Sequence, residues 1–443
     1  MRREEDGFGF RDLPEDALYG LQSARAGENF DLAYKKTSLH LIYAMAKVKK
    51  AAALTYVHLG AVREGLYQAI AVACDQVLAG RADAMFVVDA LQGGAGTSTH
   101  MNVNEVLANL ALQELGKKPG QYEFVHPLDD VNRGQSTNDV YPTALRIAAI
   151  ELLRTLSEAC ADLQQALQEK ENSFAEIEKL GRTELMDAVP VTLGGEFGAY
   201  AQAMGRDRWR LYKIEERLRQ VNLGGTAVGL ADNAERRYRF GVIEELRTIT
   251  GIGLSLAEYP MDITQNNDVF VEVSGLLKAL AVNLMKIAGD LRLMNSGPHG
   301  ALGEIRLAPV QVGSTIMPGK INPVIPEMVI QAAMKVMAND QAITMAAAHG
   351  EFELNAFLPL IADALLENLS ILGRAVRLFR EKCIVPLEAN RERCAMFLRN
   401  SYAFATAYVP KLGHETVRRI IEEKGGDAAQ IRLALEQALA AQA

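Results

Sequence analysis

No stretch of the 443-residue chain approaches the roughly 20 consecutive apolar residues that a membrane span needs. The amino terminus, Met-Arg-Arg-Glu-Glu-Asp, leads into no apolar run of the kind a secretion signal carries. Neither a bilayer location nor export is expected. Basic residues are the minority, 47 Lys and Arg against 55 Asp and Glu, for a net charge of −8. The chain therefore lacks the broad positive field that nucleic acid or an anionic membrane surface demands, although a local cationic pocket can still hold a small dianion. Cysteine is scarce too. Cys74, Cys160, Cys383 and Cys394 stand apart with no C-x-x-C spacing, which argues against a zinc site and a disulfide framework and fits a reducing cytoplasm. Repeats and low-complexity tracts are missing, and strand signals are weak outside Glu184 to Val191.

What the chain does have is apolar residues, 49% of the total, enough to fill the core of two or three domains. From about Pro142 to Arg380 they fall into long helical patterns. Ala149, Leu152, Leu156, Ala159, Leu163 and Ala166 recur in steps of three and four and define one stripe. Val273, Leu277, Leu280, Leu284, Ile287 and Leu291 form a second, and Leu365, Leu369, Leu372, Val376 and Phe379 a third. Three seams of this kind predict an all-α fold with minor β content, built around a long helical bundle at shallow crossing angles. A bundle this long exposes further apolar surface to neighbouring subunits, so an oligomer is expected.

The segment richest in chemistry is Gly313-Ser314-Thr315-Ile316-Met317-Pro318-Gly319-Lys320-Ile321-Asn322-Pro323. Its glycines free the backbone, and its prolines stop a helix from absorbing Ser314, Lys320 and Asn322, which suits a mobile lid with a reactive tip. The plainer reading is a Pro/Gly connector whose side chains face water. Two other segments sit at helix entries. Gly93-Gly94-Ala95-Gly96-Thr97-Ser98-Thr99-His100-Met101-Asn102 precedes a helix expected to start near Asn102, and Gln135-Ser136-Thr137-Asn138-Asp139 precedes one containing Thr143 to Leu167. Free N–H groups at such entries, with the hydroxyls of Thr97, Ser136 and Thr137, favour carboxylates; the plainer reading is ordinary N-caps.

Together with Gly181-Arg182-Thr183-Glu184-Leu185-Met186-Asp187-Ala188-Val189-Pro190, these segments resemble, in order, the four signature motifs of the fumarase/aspartase superfamily. The resemblance runs from the amino terminus to about Leu412; the tail from about Gly425 looks shorter than that of typical aspartases. It implies a three-domain protomer, divided here at 1–136, 137–392 and 393–443, and a homotetramer whose active sites each draw on three chains. It also implies cleavage of a C–N or C–O bond beside a carboxylate, and the expectation is that no organic cofactor takes part and that no metal-ligating residues belong to the site. Ser314 takes the position of the base, Thr315 stands where a second Ser is usual, and Lys320 supplies the compensating cation. Thr97, Ser136, Thr137 and Thr315 are the implied donors to one carboxylate, whereas Thr183, Lys320 and Asn322 hold the other. Thr97 and Asn138 lie near the amino group.

Glu184 departs from the family, where fumarases carry His and aspartases His or Gln. A carboxylate facing the leaving group attracts an ammonium and disfavours malate; alternatively, Glu184 pairs with Arg182 or Lys179 and never meets substrate. Asp130 replaces a common His, and His126, in the same segment, reads as structural. The expectation is a cytoplasmic ammonia-lyase acting on the small dicarboxylate L-aspartate. The alternatives are a fumarate hydratase, a lyase for another amino-succinate and a non-catalytic structural homologue.

Overall fold

The computed structural model describes residues 1–60 and 63–441, and these are mainly helical. The chain opens with a hairpin of β1 (Arg2–Asp6) and β2 (Gly9–Leu13), in which Arg2 lies opposite Leu13 and Asp6 opposite Gly9. α1 (Leu21–Asn29) follows. The buried carboxylate of Glu105 gathers the N–H groups at the start of α1, accepting from Gly20 at 2.9 Å, Gln22 at 2.8 Å and Ser23 at 3.1 Å, so a negative charge meets the positive end of the helix. α2 (Leu39–His58) packs on α3 (Glu64–Leu78), and α3 on α4 (Thr97–Glu114). Met45, Val48, Ile70, Val77, Val106 and Leu107 are buried on these helices.

Two of the helix entries differ from expectation. α4 starts at Thr97, not near Asn102, because Gly96 takes a left-handed φ of 94° and turns the chain into the helix. Glycine is required there twice over, since a Cβ would lie 2.2 Å from the Tyr141 ring. α5 (Thr137–Ser173) likewise starts at Thr137, so Thr137 and Asn138 lie in its first turn rather than ahead of it, and Pro142 lies inside the helix. Pro142 has no N–H to offer the Asn138 carbonyl one turn back. That carbonyl accepts instead from Asn222 Nδ2, at 2.9 Å. The replacement partner allows a proline where the pattern discourages one.

After α5 come the antiparallel β3 (Glu178–Thr183) and β4 (Met186–Thr192), with a bulge between Leu180 and Arg182, and then α6 (Leu193–Leu218). β5 (Gln220–Val221) pairs in parallel with β6 (Ser255–Leu256), which flank α7 (Arg236–Thr250). Next are α8 (Pro260–Gln265), α9 (Asp268–Met294), β7 (Ile305–Arg306), α10 (Val324–Ala347) and α11 (Leu358–Phe379). β8 (Glu388–Ala389) pairs with β7, and α12 (Arg391–Arg399), α13 (Val409–Leu412), α14 (His414–Glu423) and α15 (Ala428–Ala440) complete the chain.

Two compact units can be distinguished. Met1–Ser157, Arg210–Ala279 and Lys335–Gly373 make the first; Glu158–Trp209, Leu280–Met334 and Arg374–Ala443 make the second. The second contains a small core of Leu412, Val417, Ile420, Ile431 and Leu435 near the carboxyl terminus. All residues of the expected second and third seams, on α9 and α11, are buried. On α5 the buried line is Ala149, Leu153, Leu156, Cys160, Leu163 and Leu167, while the expected Leu152 and Ala159 are only partly buried. The stepping is right; the stripe's centre lies further round the helix. All four cysteines are buried and unpaired, and burial pushes their thiols up, Cys383 to about 12 and Cys394 to about 11.

Candidate active site

In the first unit, the entries of α4 and α5 meet. Besides the contact of Gly96 with Tyr141, His100 Nδ1 lies 2.8 Å from Thr137 Oγ1. Thr97, exposed at the first position of α4, donates its hydroxyl to the Gly94 carbonyl at 2.8 Å. Ser136 Oγ accepts from Asn138 N at 3.2 Å, which leaves its own proton to give elsewhere. Asn138 Nδ2 donates to the Ala227 carbonyl at 2.8 Å. The structure thus brings Ser136, Thr137 and Asn138 to one helix entry and places Thr97 on the neighbouring one.

Asp139 organises this entry. Fully buried, it accepts from Ser136 N through one oxygen at 3.0 Å and from Gly224 N and Thr226 N through the other, at 3.0 and 2.9 Å. Burial raises its carboxyl to about 6, and those three N–H groups work against the rise. Asn222 Nδ2 reaches Thr264 Oγ1 at 2.8 Å as well as the Asn138 carbonyl, which ties the 222–227 segment to the same turn. Lys49 is buried too, donating to Asn132 Oδ1 at 2.9 Å. Burial pulls its ammonium down to about 7, partly opposed by Asp139.

The remaining candidates belong to the second unit. Thr183 closes β3 at the exposed tip of the hairpin, opposite Met186. Glu184 and Leu185 form its two-residue turn with φ of 55° and 65°, the signature of a type I′ turn. Neither is glycine, so the conformation costs roughly 1–2 kcal/mol for each. Glu184 does not pair with Arg182 or Lys179. Arg182 binds Glu304 at 2.8 Å, and Lys179 binds Glu304 at 2.8 Å and Glu196 at 2.9 Å. That buried network takes both cations, and among the described residues Glu184 has no ion pair.

In the 313–323 segment, Ser314 Oγ accepts from Met317 N at 3.0 Å and Ile316 N at 3.3 Å. Two N–H groups aimed at a hydroxyl oxygen favour its anionic form. Thr315 is exposed beside it. Asn322 Nδ2 donates to the Gly313 carbonyl at 2.5 Å and pins the ends of the segment together. This closure explains Gly313, where a Cβ would lie 2.2 Å from the Lys320 carbonyl oxygen. Lys320 and Asn322 line a cavity of about 830 Å³ with Arg292, His299 and Arg306. Among the described residues no group of three or more His, Cys, Asp or Glu side chains is placed to hold a metal ion.

His126 Nδ1 accepts from Leu128 N at 3.3 Å and Asp129 N at 3.1 Å and caps the turn that follows. Asp130, the residue standing where a His is common, accepts from His126 N and pairs with Arg63 at 2.9 Å. Sequence reasoning overlooked His100, Asp139 and Asn222. His100 and Asp139 lie inside the motifs themselves, and the spacing of three between Thr97 and His100 was the available signal that both occupy the first turn of α4.

The lyase family matches residues 9–338 of the chain. Aspartate ammonia-lyase from Helicobacter pylori strain 26695 is 44% identical over 425 residues, covering 96% of this chain and 91% of that protein. Among solved structures, a fumarate lyase:delta crystallin from Brucella melitensis bound to cobalt superposes with a TM-score of 0.94 at 45% identity, covering 99% of this chain and 98% of that one. A class II fumarase from Schistosoma mansoni gives a TM-score of 0.93 at 30% identity, covering 98% and 95%.

Proposed function

This chain belongs to the lyase family, and on that premise we propose that it is an aspartate ammonia-lyase, eliminating ammonia from L-aspartate to give fumarate. The observation that carries the reading is near-full-length identity of 44% to an aspartate ammonia-lyase, against 30% to a class II fumarase.

Ser314 is the base. Its oxygen takes the proton from the carbon beside one carboxylate, and the electron pair moves into that carboxylate as an aci-carboxylate. When the pair returns, the carbon–carbon double bond forms and the C–N bond breaks, its electrons leaving with ammonia. The difficulty of the reaction lies in the second negative charge of the intermediate, which fixed donors must meet. Ser136, Thr137 and Thr315 supply hydroxyls for it, and Thr97 joins them by turning its proton away from the Gly94 carbonyl. Thr183, Lys320 and Asn322 hold the other carboxylate, with Lys320 as its counter-charge. Asn138 and Thr97 face the amino group, and Glu184, unpaired at its hairpin tip, draws in the ammonium. No cofactor enters this scheme.

On the same reading the chain divides into parts 1–136, 137–392 and 393–443, and four copies build each site from three chains in the cytoplasm. The exposed apolar residues Val282, Met334 and Met345 on the long helices support subunit contacts. The test is fumarate formation, followed by ultraviolet absorbance, with purified protein given L-aspartate or L-malate under matched conditions. Turnover of aspartate alone is expected. Turnover of malate alone would make the protein a fumarase, and silence toward both would overturn the reading.

A further inference from the structure

We infer that His100 is a positioning residue, whose Nδ1–H donates to Thr137 Oγ1 and thereby leaves the Thr137 hydroxyl proton free for a substrate carboxylate. The inference rests on the reading of Thr137 as a carboxylate donor; the role of His100 within it is new.

The geometry leaves few choices. His100 is 2% exposed, its Nδ1 lies 2.8 Å from Thr137 Oγ1, and its Nε2 is buried with no hydrogen-bond partner. Three proton arrangements are possible. With the proton on Nε2, a buried N–H is orphaned and Thr137 must spend its hydroxyl proton on Nδ1. With both nitrogens protonated, the same N–H is orphaned and a positive charge is buried as well. With the proton on Nδ1, the N–H is satisfied by Thr137 and only a lone pair goes without a partner. Orphaned buried N–H groups are rare in proteins, and leaving a buried donor unmet costs its full desolvation. The Nδ1–H form is the cheapest of the three. Burial, with Lys49 as a second cause, keeps the ring neutral by holding its pKa well below 6.5.

The consequence for Thr137 is a fixed direction. A hydroxyl that donates to imidazole cannot donate to substrate with the same proton, whereas one that accepts from imidazole has its proton left over. Thr137 is partly buried at the entry of α5, next to Ser136 and Asn138, and with its oxygen accepting from His100 its own proton is left for the carboxylate proposed to bind at that entry. His100 acts through Thr137 and touches no reacting atom.

The test uses the full chain in four forms besides wild type: His100→Leu, His100→Asn, Thr137→Ala and the His100→Leu/Thr137→Ala double variant. His100→Leu should lower kcat for L-aspartate by about tenfold or more with a smaller change in KM, because the lost orientation matters most to the charged intermediate. His100→Asn should recover most of that loss, its amide nitrogen standing near the position of Nδ1. The double variant should be no slower than Thr137→Ala. Independently, 15N solid-state NMR of histidine-labelled protein should show the resonance lost in His100→Asn to be an Nδ1–H tautomer.

If Thr137→Ala is impaired but His100→Leu turns over like wild type, the inference is wrong while the reading of Thr137 stands. If Thr137→Ala itself is normal, the carboxylate reading of Thr137 fails and takes the role of His100 with it. Should His100→Leu not fold, the tautomer decides: an Nε2–H or doubly protonated ring overturns the proposal. The NMR arm requires no substrate and so is independent of aspartate turnover.

Discussion

Ser314 and Lys49 carry testable consequences at the level of single side chains. Ser314 Oγ already accepts two backbone N–H groups, which is the local support a serine needs before it can take a proton from carbon. Ser314→Ala should therefore lower kcat by roughly three orders of magnitude or more and leave assembly unchanged. Steady-state kinetics beside light scattering checks both, and near-normal turnover would remove Ser314 as the base. Lys49 makes a different prediction. Its ammonium titrates at about 7 in the folded chain and near the ordinary 10.5 when unfolded. Between those values the unfolded chain holds the extra proton, so stability rises with pH across that window. Thermal unfolding of wild type should move upward from pH 7 to pH 9 relative to Lys49→Met, and a constant difference would show that Lys49 is charged in the fold. Burial of this kind is not visible in the sequence, where Lys49 stands in the run Lys47-Val48-Lys49-Lys50 and looks like any solvated lysine.

Among the secondary-structure elements, α5 shows how far the sequence can be read. Its three-and-four stepping was legible in the apolar pattern, although the helix runs beyond the expected Thr143 to Leu167 at both ends. Its start was not, because Pro142 signals a break and the compensating partner, Asn222, lies far along the chain. Asn222→Ala should leave both the Asn138 carbonyl and Thr264 short of a partner and cost about 1–3 kcal/mol. Denaturant unfolding measures that loss; a change below a few tenths would mean that water fills the place. The β1–β2 hairpin was illegible for another reason. Its inward positions hold Arg2 and Glu4, paired at 2.7 Å and buried, so a strand that should alternate apolar and polar residues reads as a charged terminus. At the β3–β4 tip, the strand signal from Glu184 to Val191 falls on β4 but runs two residues too far, because Glu184 and Leu185 form the turn, and the partners of Arg182 and Lys179 come from Glu304 and Glu196 and could not be read locally.

For the whole molecule, the apolar seams on α9 and α11 are buried within the chain, yet Val282, Met334 and Met345 remain about half exposed or more on α9 and α10. Light scattering should return close to four times the 48.4 kDa chain mass. Met345→Glu should shift the population toward smaller species by burying a charge in a subunit contact; a variant that keeps the wild-type mass would place the contact elsewhere. The four buried cysteines have one further use. Thiols that are inaccessible and held in their neutral form do not react with maleimides or iodoacetamide. A cysteine introduced as Leu185→Cys or Ile316→Cys, at positions 73% and 83% exposed, would therefore be the one site open to a spin label or fluorophore. The natural chain is in effect a silent background for spectroscopy, and the hairpin tip and the serine segment can each be watched during turnover without first removing any native cysteine.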